Sequence, residues 1–209
     1  MKITDQLRSF WNDRARSAAT DAERVDSKRR AQRMRFEAFV RCHDLAGASV
    51  LDIGCGVGDF YGHLTDLRVS CDYTGVDLST EMVARAREKY PGARFAAADV
   101  LGWAEEERFD VTVAFAIHNV KFPGSRQMLE QLTRKQFVLC RRAAHLSLLT
   151  DRYPGFAPHI QPWRAEEILT LALSVSPWVM LRHDYLPNDF SVTMYRKPYI
   201  ETQPGLLLE

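Results

Sequence analysis

The chain has 209 residues, of which 46% are hydrophobic and 26% charged, and its formal net charge is +1. That length suits one substantial core and leaves no room for a second catalytic domain of ordinary size. The even charge balance excludes a global attraction to nucleic acid or to an acidic membrane, so a polyanion partner would need a local patch.

The opening stretch MKITDQLRSFWNDRARS lacks the apolar core of a signal peptide. Residues 1 to about 46 carry no strand signal. They read as two helices, Ile3 to Ala19 and Glu23 to Leu45, which together form an N-terminal helical cap. In the second, Met34, Phe36, Phe39 and Val40 are expected to pack on the domain while the arginines face outward. From 47 to 198 short β-branched runs alternate with helix-length amphipathic segments, the pattern of a parallel sheet covered on both faces. The predicted strands are 48–53, 73–77, 93–99, 109–115 and 144–149, and helices are expected over 60–67, 80–90 and 124–140. Ser79 stands where it can cap the second of these helices. After residue 164 comes one more helix, RAEEILTLALS, and then WVMLRHDY and FSVTMYRK joined only by LPND. A link that short holds no crossover helix, so these two runs form an antiparallel hairpin. Residues 199–209 read as a tail whose GLLLE ending resembles a cloning scar. The fold class is therefore α/β, a three-layer Rossmann-like sandwich. No run approaches the roughly 18 apolar residues of a membrane span. Cys42, Cys55, Cys71 and Cys140 lie far apart with no C-x-x-C pair, which points to a reduced, cytoplasmic protein.

The stretch VLDIGCGVGDFYGHL places Gly54, Gly56 and Gly58 directly behind the first strand. A nicotinamide dinucleotide site has its third glycine three residues after the second, but that place is held by Asp59, whose carboxylate would oppose a pyrophosphate. A cofactor without phosphates, carrying a positive charge and a free amine, instead welcomes acids around the loop. Asp52 lies within the first strand and can accept from an ammonium. Asp77 closes the second strand and can take both ribose hydroxyls, and Asp99, at the end of the third, can accept the exocyclic amine of adenine. An acid at each of three successive strand ends is what S-adenosylmethionine needs.

VLDIGCGVGDF, GVDLS, ARFAAADV and FDVTVAFAIHNV resemble, in order and spacing, the successive motifs of class I S-adenosylmethionine-dependent methyltransferases, and the likeness covers about residues 48 to 197. It implies a seven-stranded, mostly parallel sheet of order 3-2-1-4-5-7-6 with strand 7 antiparallel, in agreement with the hairpin. It also implies that Gly54, Cys55 and Gly56 surround the methionine part, that Asp77 with Leu78 holds the ribose, and that Met82 lies over the adenine. Ala98, Asp99 and Val100 would meet the base, Ala114, Phe115, Ala116 and Ile117 would lie along the sulfonium, and Arg33 or Arg35 would reach the cofactor carboxylate. QRMRFEAF before the glycine motif and LRHDYLPNDFSVTMYR at the end are similar to a set of small bacterial methyltransferases. The chain lacks that family's Pro-Gly-Gly turn before strand 5, and it lacks the N/D-P-P-Y signature for nucleic-acid bases after strand 4.

Methyl transfer is an in-line displacement that positioning alone can drive, with a base needed only for a protonated nucleophile. His118 and Asn119, just beyond strand 4, are the candidates for the reacting side; the alternative has His118 capping the strand end or meeting solvent. Residues 150 to 163, TDRYPGFAPHIQPW, form a long loop after strand 5. It either closes over substrate with Asp151, Tyr153, His159 and Trp163 facing in, Asp151 serving as base, or packs on the surface by its own aromatics. His145, His183 and Tyr185 fall within strands as packing or satisfied core groups. The histidines lack metal spacing, so no catalytic metal is expected. The reading is an S-adenosylmethionine-dependent methyltransferase that methylates O or N of a small metabolite, with no nucleic-acid or membrane partner. The alternatives are an RNA methyltransferase using the basic helix around Arg29, Arg30, Arg33 and Arg35, and a cofactor-binding protein of the same fold that does not methylate.

Overall fold

Alternating apolar runs and amphipathic segments resolve, in a computed structural model that describes residues 3–20, 23, 29–104 and 109–199, into one sheet with helices on both faces. Two helices lead, α1 (Ile3–Ser17) and α2 (Arg29–Val40). There follow β1 (Ser49–Ile53), α3 (Asp59–Asp66), β2 (Asp72–Asp77), α4 (Thr80–Lys89), β3 (Arg94–Ala97), a 3-10 turn (Val100–Gly102) and β4 (Phe109–Phe115). The chain closes with α5 (Ser125–Leu139), β5 (Cys140–Leu149), α6 (Ala165–Leu173), β6 (Trp178–Leu186) and β7 (Asp189–Tyr195). Residues 24–28, within the second predicted helix, and the tail from 200 onward lie outside the described residues.

The seven strands run in the order β3-β2-β1-β4-β5-β7-β6. β7 is antiparallel to both β5 and β6, as the four-residue link required. Because β2 and β3 extend to one side of β1 while β4 and β5 extend to the other, the chain changes direction at the carboxyl ends of β1 and β4. A crevice opens there in such sheets.

Strand alternation divides the core between the two faces. Leu51, Ala114, Leu146, Leu148, Val192 and Met194 pack with α5 and α6 on one side. Val50, Tyr73, Val111 and Val113 meet Phe36 and Phe39 of α2, Phe60 and Leu64 of α3, and Val83 and Ala86 of α4 on the other. Burying that apolar area is the main favourable term in holding the layers together. Ser79 caps α4 by accepting from the Met82 N–H at 3.1 Å.

β5 begins at Cys140, four residues before the predicted start, because α5 runs straight into the strand with no intervening glycine turn. His145 is buried as expected, with Nδ1 2.8 Å from the Thr193 hydroxyl, and Tyr185 is half-buried. His183 is exposed on edge strand β6, its ring against Phe190. Among the described residues no helix is long and apolar enough to cross a membrane.

Candidate active site

The loop after β1 turns back on β2, with the Gly54 and Cys55 N–H groups both donating to the Val76 carbonyl at 2.7 and 3.0 Å. Gly54 has φ +73°, and a Cβ there would sit 2.3 Å from Ile117 Cγ2. Only glycine allows the backbone to approach this closely. On the facing wall Ala116 holds φ +61° just past β4, a left-handed conformation costly for a residue with a Cβ and concentrated at functional sites.

The strand-end acids converge on this loop. Asp52 is 2% exposed and accepts from the Tyr73 hydroxyl at 2.6 Å. Burial pushes its pKa up to about 7; the Tyr73 bond opposes that rise, and the charges of Asp77 and Asp59 add to it. Asp77 accepts from the Gly56 and Ser79 N–H groups at 2.9 and 2.8 Å. Desolvation raises its pKa while those donors hold it down. Asp99 accepts from the Leu101 N–H at 3.1 Å and so caps the 3-10 turn. The nearby cations are engaged elsewhere: Lys89 with Asp59, Arg8 with Asp5, Arg16 with Glu81 and Arg35 with Asp189. Among the described residues no cation is ion-paired with Asp52, Asp77 or Asp99.

Around these groups lies a cleft of about 1280 Å³, open solvent at its mouth included. Of the residues expected to bind cofactor, Arg35, Asp52, Gly54, Cys55, Gly56, Asp77, Leu78, Met82, Ala98, Asp99, Val100, Phe115 and Ala116 line it. Ala114 does not. It is 1% exposed in the core beneath α5, because alternation along β4 turns it to the face opposite Val113 and Phe115.

The N-terminal helices were expected to cover the site, but the residues of the first that do so were not singled out. α1 contributes Thr4, Leu7 and Trp11 to the cleft. It is held down by Arg8 Nε, which donates to the Leu78 carbonyl at 3.3 Å, and by Asn12 Oδ1, which accepts from the Ser79 hydroxyl at 2.7 Å. Trp11 packs against Val57 and Met82. The signal was the stripe Leu7, Trp11, Ala15 at four-residue spacing.

Arg35 departs from the expectation that the arginines of this helix face out. Arg29, Arg30 and Arg33 are exposed, with Arg33 3.8 Å from Glu37, whereas Arg35 lies with Phe36, Ala38 and Phe39 in the buried stripe. Its Nε donates to Asp189 Oδ2 at 2.5 Å, and the Tyr185 hydroxyl donates to the other oxygen of Asp189.

His118 lines the cleft and is 5% exposed; burial pushes its pKa down to about 3, so it is neutral, and Nε2 has no hydrogen-bond partner among the described residues. The other candidates for the reacting side lie elsewhere. Asn119 ties the carboxyl end of β5 to the loop that follows it, its Oδ1 accepting from the Leu149 N–H at 3.3 Å and its carbonyl from the Gln161 N–H at 2.9 Å. The loop 150–163 does not close over the cleft. Bridges Thr150–Trp163 and Val120–Ile160 pin both of its ends, leaving Asp151, Tyr153 and His159 exposed, with Tyr153 packed on Phe156. Trp163 is 6% exposed in the core and donates from Nε1 to the His118 carbonyl at 3.0 Å. Asp151 and Trp163 border a separate shallow depression with Arg164 and Glu167.

Residues 50–135 match the family model described as a methyltransferase domain. Trans-aconitate 2-methyltransferase of Paracidovorax citrulli is 30% identical over 93 residues, covering 44% of this chain and 36% of that protein. The chain thus matches little more than a third of that relative's length. Among solved structures, magnesium protoporphyrin IX methyltransferase from Synechocystis PCC 6803 with bound SAH superposes with a TM-score of 0.68 at 15% identity, over 93% of this chain and 99% of that one. The N-methyltransferase NodS from Bradyrhizobium japonicum WM9, also complexed with S-adenosyl-L-homocysteine, gives 0.63 at 17% identity, over 90% and 97%. At such identities the likeness is one of fold, and it extends the matched segment to the whole sheet. Residues 50–135 thus carry a methyltransferase domain, set in a seven-stranded sheet with the fold of these SAH-bound methyltransferases.

Proposed function

We propose that this protein transfers a methyl group from S-adenosylmethionine to an oxygen or nitrogen of a small metabolite in the cytoplasm, with residues 1–46 serving as a helical cap on the domain of 47–198. The observation that carries this reading is the set of acids, Asp52, Asp77 and Asp99, that line one cleft with no ion pair to any of them among the described residues, the cleft's Arg35 being paired with Asp189. Such a donor set suits a cationic nucleoside and opposes a phosphorylated one. When bound, the cofactor supplies an electrophilic methyl carbon, whose bond to sulfur breaks with the electron pair going to sulfur as the acceptor's lone pair bonds to carbon.

The chain's own residues position and shield. Asp52 receives the ammonium, Asp77 the ribose hydroxyls and Asp99 the adenine amine, while Gly54 to Gly56 let the backbone approach and Arg35 stands at the carboxylate end. Trp11 and Leu7 from α1, with Phe36 and Phe115, exclude water, which favours a step that disperses charge. His118 orients the acceptor through its imidazole. With its pKa pushed down to about 3 it is too weak a base to hold a proton. The acceptor therefore presents a lone pair that is already free, as a carboxylate, a phenolate or a neutral amine. The relative named for trans-aconitate, a small organic anion, fits that class.

Calorimetric titration of S-adenosylmethionine and S-adenosylhomocysteine into the wild type and Asp77→Ala tests the reading. Wild-type binding with at least a tenfold loss in the variant, about 1.4 kcal/mol, is expected. Absence of wild-type binding to both ligands overturns it.

A further inference from the structure

Tyr73 was not among the residues expected to serve the site, and it does not line the cleft. It stands on β2, 4% exposed, inside an aromatic box: Phe95, Tyr61 and Phe60 lie at ring-centroid distances of 5.8, 5.1 and 6.5 Å. Within that box its hydroxyl finds one polar partner, Asp52 Oδ2 at 2.6 Å. β1 and β2 are adjacent and parallel, with Val50 paired to Tyr73. The Tyr73 ring therefore reaches along the sheet past that partner to the carboxylate two residues on.

Because Tyr73 is packed on several sides, its hydroxyl is a fixed donor. A carboxylate that accepts one bond from a fixed donor has its plane set and its second oxygen directed elsewhere. Here that leaves Oδ1 for the cleft, which Asp52 lines.

We propose that Tyr73 is a positioning residue for the methyl donor, its phenol fixing the Asp52 carboxylate in the orientation and charge state that receives the donor's ammonium. This rests on the cofactor reading above. The groups that face Asp52 are Tyr73 and Asp77 from β2, Asp59 from α3 and the Cys55 thiol of the glycine loop, with Arg35 of α2 lining the same cleft but ion-paired to Asp189. Of these, the Tyr73 hydroxyl is the group hydrogen-bonded to the carboxylate, and it stabilises the charged form against burial and the neighbouring acids. Without it Asp52 takes up a proton at higher pH and the attraction to the ammonium weakens where the wild type still holds its charge.

The test is the affinity of S-adenosylhomocysteine for the wild type and Tyr73→Phe, measured by calorimetry from about pH 6 to 9 on the full chain. The ratio of the two dissociation constants cancels the titration of the ligand's own amine. Loss of a bond to a charged group moves the Asp52 midpoint up by about one pH unit. The variant should accordingly bind roughly fivefold more weakly near pH 7 and converge on the wild type near pH 9. A merely structural role for Tyr73 gives a ratio that does not change with pH, and that result, including a constant ratio of one, overturns the proposal. The substitution removes one oxygen and adds no volume. Should it nonetheless fail to fold, the ratio of the dissociation constants of Asp52→Asn and wild type, in which the ligand's amine again cancels, must rise between about pH 6 and 8, and a ratio that does not change with pH overturns the proposal as well. Failure of the wild type to bind at any pH overturns instead the cofactor reading on which it rests.

Discussion

Asp189→Asn isolates the ion pair that ties α2 to the last hairpin. The guanidinium and the carboxylate have side-chain exposures of 7% and 0%, and Arg35 Nε lies 2.5 Å from Asp189 Oδ2. The amide keeps the shape of the carboxylate and an acceptor for the Tyr185 hydroxyl, but it removes the negative charge that faces the buried guanidinium in this pair. Breaking a buried pair from one side costs about 3–5 kcal/mol, which in a domain of this size lowers Tm by roughly 6–20 °C. Burial raises the Asp189 pKa, so calorimetric melts are best run near pH 8, where the wild-type carboxylate is charged. Adding Arg35→Met to the variant removes the other charge of the pair as well and should recover part of the loss, since apolar replacements of buried pairs are often neutral. An exposed pair provides the contrast. Arg126 and Glu130 have side-chain exposures of 48% and 44%, and Glu130→Gln should cost under about 1 kcal/mol. If Asp189→Asn costs no more than that, Arg35 finds another countercharge and the argument from burial fails.

Two further outcomes follow from the site and the core. Gly54→Ala combines a left-handed φ with a Cβ 2.3 Å from Ile117 Cγ2; it should lose about 2–4 kcal/mol of stability and at least tenfold in S-adenosylhomocysteine affinity, and unchanged binding would show that the loop does not touch the ligand. The buried histidines should cost stability in acid. His43 and His118 titrate at about 4 and 3 in the folded protein and His145 well below 6.5, all through burial. Their contribution is complete above the unfolded value near 6.5 and is lost as pH drops toward the folded values, about 2 kcal/mol for each of His43 and His118 by pH 5. Asp52, raised to about 7, acts in the opposite sense and returns roughly 3 kcal/mol over the same interval. Asp77 and Asp189, also raised by burial, act in the same sense as Asp52, so the histidine contribution is read by difference: in urea titrations His118→Asn should lose about 2 kcal/mol less than the wild type between pH 8 and 5, and an equal loss would refute the assignment of that histidine as buried and neutral.

The features that the sequence by itself determined are those written in short spans of chain. The strand-end acids Asp52, Asp77 and Asp99 stand at boundaries where an apolar run meets a turn, and Ser79 stands at the start of a helical stripe, so spacing alone located them. The antiparallel β7 was legible because a link as short as LPND closes only a hairpin. Tertiary structure decided what depends on pairing between distant segments. Arg35 meets Asp189 across 154 positions and Tyr73 meets Asp52 across 21, distances over which no periodicity carries information. It also decided which way each side chain points: Ala114 turned into the core, Trp163 was drawn inward by bridges at both ends of its loop, and α1 came to roof the cleft through Arg8 and Asn12. Hydrophobic periodicity specifies that a face is buried, whereas the register between strands and the docking of one helix on another specify what that face is buried against.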